Sequence, residues 1–246
     1  MKYIRYLIAI IFILPVALVD YLLCVPIGFL LKKSGAIVAS EKYKRVLIHF
    51  LVHWIMFFLG IRLHVQGKEN IPSLMSGGAV FANHQSLLDC VALEGSGLWA
   101  GFVGKVELKK VPVLNGFFKT KNSVYLDRKS PRDSIKAILD AANNIKDGYV
   151  MAIFPEGTRS KDGQVHEFKA GSFKMATRAK SKVIPVAISG TRQILEDCHS
   201  LFFKDVYVTY GKPIETKDMS EEELRDIHTV VENEVKEMYN QLVVKK

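Results

Sequence analysis

The sequence predicts an α/β fold in which a mixed β-sheet is layered with helices, preceded by a helical hairpin embedded in a membrane. From residue 61 onward, short apolar segments of strand length alternate with helical patterns, which is typical of layered α/β domains. Before residue 61, two long apolar segments carry few charges. We therefore divide the chain into a two-helix membrane anchor, residues 1–60, and an α/β domain, residues 61–246.

The two apolar segments differ in their capacity to cross a bilayer. Residues 7–31 follow a basic start and are interrupted by Pro15, Asp20 and Pro26. A cleaved signal peptide would need a site of small residues, and no convincing one follows. Residues 46–61 would form a helix of about 24 Å, shorter than the ~30 Å hydrocarbon core of a membrane. The second segment is therefore expected to lie in the membrane surface.

Charge favours a hairpin in one leaflet over two spans. The start of the chain, the connector around Lys32 and Lys42, and the remaining sequence are all basic. Two spans would place the basic connector on the outer side, against the general preference for positive charge inside. We expect a monotopic hairpin in the inner membrane, with the following domain on the cytoplasmic face. A single span through residues 7–31 is the alternative.

Arg45, His49 and His53 recur every four residues and predict a polar stripe on one face of the second helix. The two histidines could hold a metal ion, but no third ligand lies nearby, so we expect no metal site. Aromatic residues near the end of this segment are typical of a membrane interface: Trp54, Phe57 and Phe58.

Composition narrows the classes of partner. The net charge is +9, which indicates an anionic partner such as nucleic acid, anionic lipid or a phosphorylated substrate. The interleaving of aromatic and basic residues found in nucleic-acid-binding modules is missing, so we expect no nucleic acid. The three cysteines, Cys24, Cys90 and Cys198, are far apart and predict neither a zinc site nor a disulfide framework. They are expected to be small buried residues.

Local signals place the elements of the α/β domain. Ser130 and Pro131 are typical of a helix start, and Gly148 of its end. A further helix is expected after Phe168, and a final one from Ser220. Apolar segments predict strands at residues 61–65, 78–82, 99–103, 123–126, 149–154, 183–189 and 206–210. Pro185 indicates that its strand lies at an edge or next to a bulge.

His84 and Asp89 are candidates for a base and its orienting carboxylate. His84 follows an apolar strand, at the end of a sheet where open α/β folds bind ligands. Neutral imidazole is a competent base near pH 7, and a carboxylate five residues on could fix its tautomer. The alternative is that Asp89 only caps a helix.

Two further groups are candidates for holding a phosphorylated substrate. Glu156, Gly157 and Arg159 follow the apolar strand at 149–154; glycine permits a tight turn, and a guanidinium can grip phosphate with two hydrogen bonds. The alternative is a surface ion pair between Glu156 and Arg159. Lys105 and Arg128 each follow a strand end, so both could converge on the same anion.

Four blocks in this order resemble the glycerophospholipid acyltransferase family, and among its members the bacterial 1-acylglycerol-3-phosphate acyltransferases. They are residues 83–89, residues 104–115 with Arg128 beyond, residues 154–160 and residues 183–187. Gln85 stands where many members have serine or threonine. The resemblance implies the glycerolipid acyltransferase fold and a catalytic dyad of His84 and Asp89.

The resemblance also implies how the substrates bind. Lys105, Arg128, Glu156, Gly157 and Arg159 would hold glycerophosphate, and the fourth block would shape the acyl-binding region: Val183, Ile184, Pro185 and Val186. Acyl-CoA or acyl carrier protein would supply the acyl chain as co-substrate, without a cofactor or metal ion.

From this we expect acylation of the sn-2 hydroxyl of 1-acyl-sn-glycerol-3-phosphate (lysophosphatidic acid) to phosphatidic acid, in phospholipid biosynthesis at an anionic membrane surface. Backbone N–H groups near His84 are the candidate oxyanion donors. Two alternatives stay open: acylation of glycerol-3-phosphate or another lysophospholipid, and a basic protein that docks on anionic lipid without catalysis.

Overall fold

The structure is a computed structural model and describes residues 2–197 and 204–244. Its helices are α1 (Lys2–Lys33), α2 (Ile37–Leu59), α3 (Asp89–Gly95), α4 (Pro112–Thr120), α5 (Pro131–Lys146), α6 (Ala170–Ala179), α7 (Arg192–Leu195) and α8 (Glu221–Val244). Its strands are β1 (Ile61–Gln66), β2 (Ala79–Ala82), β3 (Gly101–Lys105), β4 (Val124–Leu126), β5 (Met151–Ile153), β6 (Val183–Ser189) and β7 (Lys204–Tyr210). Of the three cysteines, Cys24 and Cys90 are free thiols, and Cys198 lies outside the described residues.

The strands form one sheet in the order β1-β7-β6-β2-β5-β3-β4. Neighbouring strands are parallel except β6 and β7, which are antiparallel. The predicted mixed sheet layered with helices is therefore confirmed. The carboxyl ends of these parallel strands lie at the same end of the sheet, which brings together the turns that follow β2, β5, β3 and β4.

Helices cover both faces of the sheet. On one face, α2 and α3 pack against the strands, and four α2 side chains join the core there: Ile48, Val52, Met56 and Leu59. On the other face lie α5, α6 and α8. The start of α5 agrees with its sequence signals, because the Ser130 hydroxyl accepts a hydrogen bond of 3.2 Å from the Asp133 N–H.

The first two helices form the expected hairpin. Antiparallel pairing is shown by hydrogen bonds from Ser40 Oγ to the Gly28 carbonyl (2.7 Å) and from Trp54 Nε1 to the Phe12 carbonyl (3.2 Å). Residues Ile10–Lys33 are long and apolar enough to cross a membrane. Many apolar side chains of α1 are exposed, among them Ile11, Leu14, Leu22, Phe29 and Leu30.

The hairpin contacts the α/β domain along its length. Lys32, next to the connector, donates a hydrogen bond of 3.1 Å to Asn122 Oδ1. The Arg45 guanidinium donates to the Gly97 carbonyl (3.1 Å), so one member of the predicted polar stripe faces the domain. No group of three metal-ligating side chains occurs among the described residues, and His49 and His53 are neighbours without a third ligand.

A buried charged network lies between the hairpin and the domain. Glu41 is buried, pairs with Lys44, and accepts a hydrogen bond of 2.9 Å from Trp99 Nε1. Lys121 pairs with Glu94 and lies over the Trp99 ring, 4.9 Å from its centroid. Local sequence patterns do not reveal this network, because its members come from four separate segments.

Pro185 lies inside the sheet rather than at its edge. β6 is paired on both sides, with β2 and β7, and Pro185 stands opposite Phe81 of β2. The missing N–H is accommodated by a bulge: the β6–β7 pairing ends at Val186 and Tyr210, and the next bridge, Val183 to Ile214, includes one extra residue in the partner segment. The bulge was predicted correctly and the edge position was not.

Candidate active site

The turn after β2 is held against β6. The Asn83 side chain donates to the Ile188 carbonyl (2.9 Å) and accepts from the Ile188 N–H (2.8 Å). His84 follows, and α3 begins at Asp89. Nδ1 of His84 lies 2.8 Å from Asp89 Oδ2, so the two predicted residues meet.

Asp89 is fully buried, and its carboxylate accepts hydrogen bonds on both oxygens. Oδ2 accepts from the N–H groups of Gln85 (2.7 Å) and Ser86 (2.9 Å), and Oδ1 accepts from the Thr191 hydroxyl (2.6 Å). Because the Asp89 carboxylate only accepts hydrogen bonds, His84 Nδ1 carries the ring proton and Nε2 keeps its lone pair. The accepted N–H groups precede α3, so Asp89 organises the turn and the imidazole rather than only capping a helix.

The imidazole of His84 lines a cavity of about 700 Å³. Its ring stacks on Phe154, with centroids 4.1 Å apart and planes at 13°. The side chain is 16% exposed. Stacking on one side and the bond to Asp89 on the other fix the orientation of the ring, which a general base requires.

The cavity combines basic and apolar walls. It lies at the carboxyl ends of β3 and β5, between α5 and α6. Its basic residues are Lys105, Arg128, Arg159, Lys169, Lys174 and Arg178, and its apolar ones include Phe102, Val103, Leu126, Ile135, Ile138 and Leu139. Among the described residues, no aspartate or glutamate lines it. Such a cavity can hold an anionic group and a hydrocarbon chain together.

Lys105 and Arg128 converge as the sequence indicated. Lys105 ends β3 and is paired with Leu126 of β4, and Arg128 follows two residues after Leu126. Both line the cavity, and neither forms an ion pair with another described residue. They are therefore available to an anion.

Gly157 and Arg159 also line the cavity. Gly157 has a φ of +78°, and a Cβ there would lie 2.9 Å from Lys169 Nζ, so the turn needs glycine. Arg159 does not pair with Glu156. Its guanidinium donates to Glu196 Oε1 (2.9 Å), and its side chain is 45% exposed.

Glu156 lies behind the turn and does not line the cavity. Oε1 accepts from the His84 N–H (2.7 Å), and Oε2 from the His166 N–H (3.3 Å). Burial raises the pKa of this carboxyl to about 7, although the two hydrogen bonds lower it. The structure therefore places both Glu156 oxygens on backbone groups, one of which is that of His84. The expected contact of Glu156 with glycerophosphate stays a prediction.

Val183, Ile184, Pro185 and Val186 are buried within β6, between β2 and β7. In the part of the chain that the structure describes, none of them lines the cavity. β6 is separated from the β3–β5 region by β2, and its side chains fill the core. The expected acyl-binding role of these residues stays a prediction.

The expected oxyanion donors near His84 are also engaged elsewhere. The N–H groups of Gln85 and Ser86 donate to Asp89, that of His84 to Glu156, and that of Leu87 to Glu196 (3.4 Å). These backbone groups build the turn.

Sequence reasoning did not identify several residues of the site. Thr191, which bonds Asp89, follows β6 more than one hundred residues later. Lys169, Lys174 and Arg178 line the cavity from α6. The only signal in the sequence was the spacing of Lys174 and Arg178, which places them on one helical face.

Comparison with known proteins gives consistent matches. Residues 62–189 match the family model described as Acyltransferase. The chain is 32% identical over 179 residues to the chloroplastic 1-acyl-sn-glycerol-3-phosphate acyltransferase BAT2 of Brassica napus, which covers 71% of this chain and 52% of that protein. It is 24% identical over 249 residues to the probable 1-acyl-sn-glycerol-3-phosphate acyltransferase of Mycoplasma pneumoniae. This match covers 91% of this chain and 92% of that protein.

A solved structure matches nearly the whole chain. The crystal structure of the 1-acyl-sn-glycerophosphate acyltransferase PlsC from Thermotoga maritima aligns with a TM-score of 0.76 and 30% identity, covering 98% of both chains. The chain spans about half the length of the chloroplastic relatives that it matches.

Proposed function

The chain belongs to the acyltransferase family, and on that basis we propose that it transfers an acyl chain from a thioester donor to the sn-2 hydroxyl of 1-acyl-sn-glycerol-3-phosphate. The product is phosphatidic acid. One observation carries the proposal: an oriented imidazole with a free Nε2 opens on a cavity whose walls are basic and apolar. A lysolipid phosphate complements both walls, with an anionic phosphate for the basic wall and a hydrocarbon chain for the apolar one.

In the proposed reaction, His84 Nε2 takes the proton of the sn-2 hydroxyl, and the oxygen attacks the thioester carbonyl. The tetrahedral intermediate collapses, the C–S bond breaks, and the imidazolium gives its proton to the departing thiolate. Asp89 holds the tautomer and stabilises the imidazolium charge. No cofactor or metal ion enters these steps.

The substrate is held by groups on the cavity walls. Lys105, Arg128 and Arg159 bind the phosphate, and Arg159 does so while paired on one side with Glu196. The apolar side chains of α5, Ile135, Ile138 and Leu139, contact acyl carbon atoms. Their proximity to His84 supports a lysolipid acceptor over glycerol-3-phosphate, which has no hydrocarbon chain.

We also propose that the hairpin lies in the cytoplasmic leaflet of the inner membrane. Its connector contacts Asn122 through Lys32, and α2 packs on the sheet through Ile48 and Met56. A hairpin crossing the bilayer would carry its connector away from the domain. The exposed apolar face of α1 extends to Val111 and Leu114 around α4, which supports a common membrane-facing surface.

The acceptor is tested by following thiol release from acyl-CoA with purified protein in anionic vesicles. Separate reactions contain 1-acyl-sn-glycerol-3-phosphate, glycerol-3-phosphate or lysophosphatidylcholine, and a parallel series uses acyl carrier protein as donor. We expect release with the first acceptor alone, accompanied by phosphatidic acid. Transfer to glycerol-3-phosphate only, or no transfer from either donor, would overturn the proposal.

A further inference from the structure

The cavity next to His84 contains two separate groups of cations. The strand-end group consists of Lys105, which ends β3, and of Arg128 and Arg159, which follow β4 and β5. The α6 group consists of Lys169, just before α6, with Lys174 and Arg178 within it. The two groups therefore reach the cavity from different elements.

The α6 group faces open space. Gly171, Lys174 and Arg178 are three and then four residues apart, which places them on one face of the helix. All three line the cavity, and a Cβ added at Gly171 would meet nothing within 4 Å. The opposite side of α6 is anchored in the core by Phe173 and Ala176. The basic face is thus held rigidly toward an unfilled volume.

The charges of the α6 group are not balanced by the described part of the protein. Arg159 of the strand-end group is paired with Glu196, whereas Lys169, Lys174 and Arg178 form no ion pair with a described residue. Positive charges gathered on one short helix repel each other, and a bound anion relieves that repulsion. The arrangement is typical of a surface that a ligand neutralises.

One acceptor phosphate does not account for both groups. A phosphate monoester carries a charge of about −2 and is neutralised by two or three cations, which the strand-end group supplies. The α6 group therefore faces a second anion. The proposed reaction has one further substrate, the thioester donor, whose carbonyl must reach His84.

We propose that Lys169, Lys174 and Arg178 bind the phosphates of a nucleotide-bearing thioester donor, as in coenzyme A. This inference rests on the proposed function, because it assigns the second substrate of the same site. At 1.5 Å per residue, Lys174 and Arg178 lie about 7.5 and 13.5 Å along the axis from Lys169. That spread suits a diphosphate and a separate ribose phosphate.

The cations line a cavity rather than a flat surface. This position favours a small polyphosphate, which can enter between α5 and α6, over the broad face of an acidic carrier protein. The thiolate that leaves the intermediate at His84 is then the end of a coenzyme A molecule whose phosphates are held at α6, away from the acceptor phosphate.

The test is the double variant Lys174→Ala/Arg178→Ala. Its matched control is Arg132→Ala/Lys146→Ala, which removes one arginine and one lysine from exposed positions of α5 outside the cavity. Kinetics compare acyl-CoA with acyl-pantetheine, which lacks the phosphates, at saturating 1-acyl-sn-glycerol-3-phosphate. Calorimetric binding of coenzyme A alone, without acceptor, is measured for the same proteins.

We expect the double variant to raise KM for acyl-CoA and Kd for coenzyme A about 10- to 100-fold. Its kcat/KM with acyl-pantetheine and its KM for the acceptor should stay within about twofold of the control. A rise in acceptor KM instead, an equal loss with acyl-pantetheine, or a loss seen only with acyl carrier protein would each overturn the inference. Binding of coenzyme A needs no acceptor, so the subsite is judged separately from the proposed reaction.

Discussion

The backbone N–H of His84 donates a hydrogen bond of 2.7 Å to Glu156 Oε1. This bond joins the turn after β2 to the turn after β5, and these two strands are neighbours in the sheet. The second oxygen of Glu156 accepts from the N–H of His166. The position of the imidazole therefore depends on a carboxylate that lies behind it, outside the cavity.

Replacing Glu156 with Gln should destabilise the protein. An amide offers one acceptor oxygen, so one of the two buried N–H groups loses its partner, at a cost of about 1–3 kcal/mol. Urea unfolding followed by circular dichroism measures the change, and kcat should fall with it. A variant as stable as the original protein would mean that water replaces the lost bond.

Stability should also depend on pH through Glu156. Its pKa in the folded protein is about 7, above its ordinary value of 4.5. The folded state therefore holds this proton more tightly than the unfolded state. Its contribution is complete below pH 4.5 and is lost as pH rises through 7, so the free energy of unfolding should decrease across this window, by on the order of 1–3 kcal/mol. Urea unfolding at several pH values should give a smaller decrease for Glu156→Gln. Equal slopes in both proteins would contradict this assignment.

The dyad is tested by His84→Ala and Asp89→Asn. Loss of the base should lower kcat about 10²- to 10⁴-fold, because no other described side chain at this turn replaces the imidazole. The amide introduced by Asp89→Asn would present an NH₂ group to backbone donors and disturb the tautomer, so most activity should be lost as well. Thiol release from acyl-CoA reports the rate and circular dichroism the fold. A folded His84→Ala protein with near-normal turnover would refute the mechanism.

Arg159→Ala should impair use of the acceptor far more than use of the donor. The guanidinium lines the cavity and can donate two parallel hydrogen bonds to a phosphate. Arg159→Lys should restore only part of the loss, because lysine lacks the two-pronged geometry. KM and kcat/KM are measured for each substrate in turn. Unchanged acceptor kinetics in Arg159→Ala would leave phosphate binding to Lys105 and Arg128.

The monotopic arrangement is tested with a single cysteine at Ser34→Cys, in a protein lacking Cys24, Cys90 and Cys198. Ser34 is exposed in the connector between α1 and α2. In sealed vesicles with the domain outside, a membrane-impermeant reagent should label it from the outside. Labelling only after the vesicles are opened would show that the connector lies on the far side of the bilayer, so that both helices cross it, and would refute the monotopic hairpin.

The predicted elements follow from local pattern, and the contacts that the sequence did not predict join distant segments. The Ser130 cap, the buried strand before Phe154 and the His84–Asp89 pair depend on residues close in sequence. Glu156 was expected in the glycerophosphate pocket because the family resemblance of residues 154–160 implies it. Its actual partners, the N–H groups of His84 and His166, are backbone groups that no side-chain pattern reveals.

Pro185 and the α6 group also show the difference between what a local pattern predicts and what contacts between distant segments decide. Pro185 correctly indicated an interruption of the β-ladder. The extra residue of the bulge lies in the partner segment after β7, so β6 remains a central strand. Lys174 and Arg178 resemble any exposed pair on an amphipathic helix. Only the approach of α5 to α6 makes them part of a cavity wall.

The packing of α2 on the sheet has a practical consequence for anyone preparing this enzyme. Ile48, Val52, Met56 and Leu59 cover strands of the α/β domain, and each buried side chain of this kind contributes about 1.5–3 kcal/mol. Together they contribute an amount comparable to the whole stability of a typical domain, ~5–15 kcal/mol. A truncation at residue 60 would also take Glu41 from Trp99. Removing the hairpin would therefore yield an aggregating fragment, and crystallisation or screening work is better served by keeping α2 and replacing exposed apolar side chains of α1.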